Sequence, residues 1–248
     1  MRLDKYLVNC YIGSRKEVRE IIKQKRIIVN GKVVSNNEYN ILEKYDQVLL
    51  DDKPLMYKEH YYFLLNKPAG YVTSTTDDTN QTVMMLLDPL PSKLVQKLFP
   101  VGRLDKDTEG LLIITTDGKL SHFVTSPTSN IQKTYYIEFE GVLNDRASKM
   151  MKEGLVDEKG TQFKPATLYN VSETSCYLTI SEGKYHQVKR MMHLVGGVVT
   201  YLKRIKIANI VLPEELKIGS YIEISQHDIY QLIPVSYTHL RAHETELH

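Results

Sequence analysis

Between Ser14 and Val34 the apolar positions of this chain change period. Val18, Ile21 and Ile22 recur at helical spacing, with Arg15, Arg19, Lys23 and Arg26 mostly on other faces. Ser14, followed three residues later by Glu17, is a capping-box pair, so a helix is expected to start there. Ile27-Ile28-Val29, Asn30-Gly31 and Val33-Val34 then read as strand, tight turn, strand. A polar segment, DDKPLMYKEH (51–60), ends this compact α/β module, which places a domain boundary near residue 58. Beyond it strands are expected over 61–65, 110–116, 133–141, 175–182, 204–211 and 220–224, and shorter helices over 82–87, 117–125, 144–153 and 186–195. KTYYIEFEG and SCYLTISEG alternate with period two, one face buried and one exposed. There is no internal repeat. The pattern breaks at SYTHLRAHETELH (236–248), which is expected to be a non-native or disordered tail. Its His239 and His243 have helical metal-ligand spacing, but no function is assigned to them.

Composition narrows the class. A chain of 248 residues, 42% hydrophobic and 25% charged, can bury a large core and hold a small domain beside a larger one. The expected division is 1–58, 59–235 and the tail 236–248. Two distant cysteines, Cys10 and Cys176, argue against a disulfide framework or a thiolate metal site and fit a reducing cytoplasm. No apolar run is long enough to span a membrane, and Arg2, Asp4 and Lys5 leave no room for a signal-peptide core. The net charge of +2 is uneven: residues 1–35 hold nine Lys/Arg against three Asp/Glu, a net +6 that leaves −4 for the rest. A basic N-terminal module points to a polyanionic partner, although a solvated helix face has the same composition.

The candidate chemistry lies in PVGRLDKDTEGLLIITTDG (100–118), where a cluster of charges runs into the apolar Leu111-Leu112-Ile113-Ile114. Asp105, Asp107, Glu109 and Gly110 have the early spacing of a calcium loop. The twelfth position, however, is Thr116 and not Glu, and a strand follows where a helix should. The calcium reading fails. A solvated turn accounts for Lys106 and Glu109. It does not account for a carboxylate set among Val101, Gly102 and Leu104, which needs a cation or hydrogen-bond donors nearby. Asp105 is therefore the leading functional residue.

Two resemblances extend this reading. MRLDKYL, SRKEVREIIKQKRIIVNG and the Asp46-x-Val48 strand resemble the small RNA-binding domain named after ribosomal protein S4. That domain implies phosphate contacts, here expected from Arg2, Lys5, Arg15, Lys16, Arg19 and Lys23. GRLDKDTEGLLIITTDG strongly resembles the catalytic motif of pseudouridine synthases of the ribosomal small-subunit type. LLNKPAGYVTST (64–75), KTY (133–135) and TISEGKYHQVKRM (179–191) follow in that family's order. The resemblance implies an α+β fold, with a small S4-like domain and a larger synthase domain whose mixed, mainly antiparallel sheet carries a central cleft. It also implies isomerisation of a uridine to pseudouridine in 16S (small-subunit) ribosomal RNA, with no cofactor and no metal. The expected partner is ribosomal RNA or an assembling small subunit, and the expected form is a cytoplasmic monomer. The same chemistry on 23S RNA, or a non-catalytic RNA-binding or ribosome-assembly factor, are the other readings the residues leave open.

Roles follow position by position. Asp105 would be the catalytic carboxylate, Lys189 its cationic partner, and Tyr135 the active-site ring, with Tyr136 packed on the core. Arg103, Leu202, Lys67 and Arg190 would contact the substrate, although for Lys67 and Pro68 a structural role outweighs a catalytic one. Lys184, Lys203, Arg204 and Lys206 are read as backbone-phosphate contacts. His186 is read as a hydrogen-bonded structural histidine. RIKIANIVL (204–212) has less glycine than the family pattern implies, which leaves its strand geometry open.

Overall fold

The computed structural model describes residues 1–233, and the expectation for 236–248 lies outside them. The described residues divide into two compact units, Met1–His60 with Pro89–Lys97, and Tyr61–Asp88 with those from Leu98 onward. The first contains α1 (Leu3–Asn9), α2 (Arg15–Lys23), and a sheet of β1 (Ile27–Val29), β2 (Lys32–Val33), β3 (Val48–Leu50) and β4 (Lys53–Leu55) in the order β2-β1-β3-β4. The capping box forms: Glu17 N donates to Ser14 Oγ at 3.3 Å and Ser14 N donates to the Glu17 carboxylate. Val18 and Ile22 of α2 pack with Leu3, Leu7, Ile27, Val29 and Val48. Each such side chain contributes roughly 1.5–3 kcal/mol by burial. Asn30 (φ 49°) and Gly31 (φ 77°) make the tight turn, both in the left-handed region that a two-residue hairpin requires.

The segment Pro89–Lys97 includes α3 (Ser92–Val95) and belongs to this first unit, so the second unit is not the unbroken 59–235 expected from the pattern. Lys93 pairs with Glu17 at 3.3 Å and the Lys97 ammonium lies 5.4 Å from the centre of the Tyr11 ring. A polar run with two prolines reads as a loop, and its contacts reach back too far in sequence to be seen.

The second unit is built on one sheet. Its strands are β5 (Tyr62–Lys67), β6 (Phe99–Pro100), β7 (Glu109–Thr115), β8 (Lys133–Gly141), β11 (Thr167–Tyr169), β12 (Ser175–Ile180), β13 (Gly197–Ile207), β14 (Ile210–Val211) and β15 (Tyr221–Glu223). The order is β11-β12-β8-β13-β7-β5-β15, with β14 beside β13 and β6 beside β7. Within it β13–β7 pairs parallel and the other pairs are antiparallel, a mixed and mainly antiparallel sheet. A separate hairpin joins β9 (Leu155–Val156) to β10 (Gln162–Phe163). Helices α4 (Gly118–Thr125), α5 (Ala147–Glu153), α6 (Gln187–Leu194) and α7 (Gln226–Leu232) and a short 3-10 turn (Val83–Leu87) complete the unit. Among the described residues no helix is long and apolar enough to cross a membrane.

Residues 110–115 of β7 are all buried, as expected of a central strand covered on both faces. Asp117 starts α4 by accepting from Lys119 N and Leu120 N, and its other oxygen accepts from the hydroxyls of Tyr62 (2.9 Å) and Tyr230 (2.6 Å). Gly110 sits opposite Arg204 with φ +101°, and a Cβ there would lie 2.2 Å from the Arg204 carbonyl oxygen. Glycine is what lets β7 approach β13 so closely. Four residues beyond Arg204 the turn from β13 to β14 carries Ala208 at φ 50°, a left-handed position filled here without glycine.

Candidate active site

Asp105 lies in the loop between β6 and β7, and that loop is fastened from several sides. The Lys67 ammonium at the end of β5 donates to the carbonyls of Thr108 (2.7 Å), Pro68 (3.0 Å), Asp105 (3.1 Å) and Lys106 (3.3 Å). Thr73 Oγ1 donates to Leu104 O at 2.8 Å, and Gly70 N donates to Lys106 O at 2.8 Å. Lys67 is fully buried, and burial pushes its pKa down to about 8. It clasps the loop and has no exposed surface to offer a ligand, which fits the structural role and argues against its expected place among the substrate contacts. The physical reason is the convergence of four backbone carbonyls that leave the ammonium no solvent-facing direction.

The Asp105 carboxylate is partly exposed and faces the start of α6. His186 precedes that helix in the left-handed conformation (φ 48°), stacked on Tyr185 with ring centres 3.8 Å apart. Its Nε2 lies 3.6 Å from Asp105 Oδ1, while Lys189 Nζ, one turn on, lies 3.8 Å from Asp105 Oδ2. His186 is thus a wall of the site, and its ring makes no hydrogen bond among the described residues, which corrects the structural reading. Lys189 gives its hydrogen bonds elsewhere. It donates to both oxygens of Asp107 at 2.7 Å, and this contact holds the Asp107 carboxyl below the usual range. Asp107 enters the sequence reading only as a position of the rejected calcium loop, because nothing near it in sequence shows that Lys189, 82 residues on, pairs with it.

A cavity of about 650 Å³ opens at Asp105, with Arg103, Tyr135, His186, Lys133 and Arg204 in its walls. An adjoining hollow of about 70 Å³ shares Asp105 and Tyr135 and adds Lys189 and Leu202. Tyr135 is buried on the cavity face. Tyr136, expected in the core, points to the opposite face, where its ring lies 5.4 Å from that of Tyr177 and 6.2 Å from that of Tyr201. The alternation of β8 assigns the two tyrosines to opposite faces but does not say which face is covered. Arg103 is exposed at the rim and Leu202 is buried beside the carboxylate.

Arg190 is not free to bind substrate. Its guanidinium donates to Asp157, to Thr161 Oγ1 (2.7 Å) and to Tyr185 O (3.1 Å), and lies 4.9 Å from the centre of the Phe163 ring. It braces the β9–β10 hairpin against α6. Arg204 is also no phosphate contact on an open surface: it is 4% exposed and donates through Nε to Leu111 O at 2.8 Å. Lys184 donates to Gln162 O, while Lys203 and Lys206 stay partly exposed. In the first unit Lys5, Arg15, Lys16, Arg19 and Lys23 are exposed; Arg2 pairs with Asp4 and Glu38, and Lys23 with Glu20. Among the described residues no group of three or more His, Cys, Asp or Glu side chains could hold a metal ion.

A carboxylate beside two basic side chains, at the mouth of a cavity floored by a tyrosine, defines a site for acid–base or nucleophilic chemistry on a ligand as large as a nucleotide. The comparisons agree on the class. Residues 61–194 match the family model described as RNA pseudouridylate synthase, and residues 1–46 match the S4 domain. The chain belongs to the RNA pseudouridylate synthases and carries an S4 domain at its N-terminal end. It is 39% identical to the ribosomal small subunit pseudouridine synthase A of Escherichia coli (strain K12), over 94% of this chain and 100% of that one. An RNA pseudouridine synthase of Bacillus subtilis (strain 168) is 37% identical over 94% of this chain and 98% of its own length. The crystal structure of a pseudouridylate synthase superposes with a TM-score of 0.65 at 36% identity, covering 94% of this chain and all of that one.

Proposed function

We propose that this enzyme converts a uridine of small-subunit ribosomal RNA to pseudouridine, with Asp105 as the catalytic carboxylate. The observation that carries the reading is the position of Asp105. It stands at the mouth of the cavity, 3.8 Å from Lys189 and 3.6 Å from His186, on a loop clasped by the buried Lys67. The relatives named for the ribosomal small subunit supply the choice of RNA.

The target uridine is extruded from its stack into the cavity, at a cost of roughly a few kcal/mol. Exposed cations of the S4 domain, Arg15, Lys16, Arg19 and Lys23, supply phosphate contacts that offset it. Arg103 at the rim takes the place the base leaves. Tyr135 and Leu202 hold the ring, the tyrosine by stacking and the leucine by apolar contact. The N1–C1′ bond then breaks, the base turns, and C5 joins C1′. The C5 proton leaves and N1 gains one, so substrate and product are isomers and no cosubstrate or redox partner enters the balance. Asp105 serves whether it adds to the base, attacks the sugar or removes a sugar proton, since each step uses a carboxylate held at that place.

The test is a pseudouridine-specific chemical-labelling and primer-extension map of small- and large-subunit RNA treated with the purified enzyme, both as free RNA and as assembly intermediates. A single new stop in small-subunit RNA is expected. A stop confined to large-subunit RNA would overturn the choice of substrate, and no stop in any RNA would overturn the activity.

A further inference from the structure

Two cations in the cavity wall take no part in the chemistry above. Arg204 and Lys133 are 4% and 9% exposed. Lys133 lies two residues before Tyr135 on β8, and Arg204 is the cross-strand partner of Tyr135 on β13, so all three belong to one face of the sheet. Neither cation has a carboxylate partner among the described residues. Arg204 uses Nε on Leu111 O, and its Nη2 is buried with no hydrogen-bond partner. Lys133 gives one proton to Val124 O at 3.1 Å and has two more to give. Glu182, a buried acid that also lines the cavity, already accepts from Lys164 N and Gln187 Nε2 and pairs with Lys184. Two buried, uncompensated positive charges are costly unless something anionic arrives to meet them. Burial, together with the Arg204 charge, holds Lys133 down at about 8, which leaves it mostly an ammonium at neutral pH.

We propose that Arg204 and Lys133 form an oxyanion subsite for the base: they receive carbonyl oxygens of the extruded uracil and stabilise the negative charge it carries while it is detached from the sugar. This rests on the reading of the cavity as the uridine site. When the N1–C1′ bond breaks, its electron pair stays with the base and spreads over N1, O2 and O4. When C5–C1′ forms, the C5 proton departs and N1 is reprotonated, so atoms and charge balance without an outside reagent. The charge exists only between those two events. Fixed donors at that place therefore lower the barrier and add little to ground-state binding. A phosphate of the same nucleotide is also an oxyanion, and it would show in affinity instead.

The experiment is single-turnover pseudouridine formation by wild type, Arg204→Gln, Arg204→Lys and Lys133→Met. Each acts on RNA carrying uridine, 2-thiouridine or 4-thiouridine at the target, with RNA affinity measured in parallel. Arg204→Gln should slow the chemical step by about 100-fold at unchanged affinity, with partial recovery in Arg204→Lys. The penalty of one thio substitution, present in wild type, should also disappear in the variant that has lost the matching donor. Should Arg204→Gln fail to fold by thermal unfolding, the thio comparison in Lys133→Met decides. Weaker binding and a salt slope reduced by about one, with an unchanged chemical step, would make the pair a phosphate clamp and overturn the proposal. So would thio penalties that persist in every variant. A wild type that makes no pseudouridine would instead defeat the parent reading, a different result from active variants with no defect.

Discussion

Lys189 donates to both carboxylate oxygens of Asp107 at 2.7 Å while standing 3.8 Å from Asp105, so the cation at the site is held by one acid and presented to another. An ion pair this exposed contributes about 0–1 kcal/mol to stability, so Asp107 positions Lys189 and does little for the fold. Asp107→Asn should leave the unfolding midpoint nearly unchanged and lower single-turnover rate by about ten-fold, against 100-fold or more for Lys189→Met. Equal losses in both variants, or an unfolding shift as large as a core mutation gives, would contradict this assignment.

Lys67 tests the clasp on the catalytic loop. Lys67→Met keeps the apolar stem and removes the donor shared by four carbonyls, so a loss of roughly 3 kcal/mol or more in unfolding free energy is expected. Denaturant titration measures it. A substrate contact on the surface would instead lower activity with stability intact.

The pH dependence of stability isolates Lys133. Its native pKa of about 8 lies below its ordinary 10.5, so between those values the unfolded chain binds more protons than the native one. Stability from this group therefore rises with pH across that window and is flat below about pH 7. The unfolding free energy of wild type relative to Lys133→Met should rise from pH 8 to 10. Using the difference removes the opposing contributions of Cys10 and Cys176, which burial pushes up to about 11. A flat or falling difference would show that Lys133 is not held in a desolvated place.

Gly110 and Gly31 share a positive φ but differ in surroundings. A Cβ at Gly110 meets the Arg204 backbone at 2.2 Å, whereas one at Gly31 meets nothing within 4 Å. Gly110→Ala should cost about 3 kcal/mol or more and disturb the site through β13, and Gly31→Ala about 1 kcal/mol. Chemical denaturation of the two variants side by side gives the comparison.

What the chain discloses in its sequence is what local patterning controls. The Ser14–Glu17 cap, the Asn30-Gly31 turn, the limits of β8 and the burial of β7 all follow from a few neighbouring residues. β13 begins at Gly197, earlier than the pattern of 204–211 implies, because Val198, Val199 and Tyr201 follow α6 with no polar break to separate helix from strand. The family motifs point to Asp105, Tyr135, Leu202 and Lys189, which the fold brings to one cavity. The sequence hides the partners. A lysine at a strand end reads as exposed until four carbonyls converge on Lys67, and Arg190 reads as free until the β9–β10 hairpin closes on it. Such contacts span tens of residues and leave no periodic trace.

Asp105→Asn removes the carboxylate charge and keeps its volume, so it isolates the catalytic role of Asp105. Pseudouridine formation in a single turnover and RNA affinity are measured on the same preparations of wild type and variant. The variant should give no detectable product, with affinity equal to wild type. Isomerisation by the variant within about ten-fold of wild type would contradict it, because positioning and binding alone would then carry the reaction.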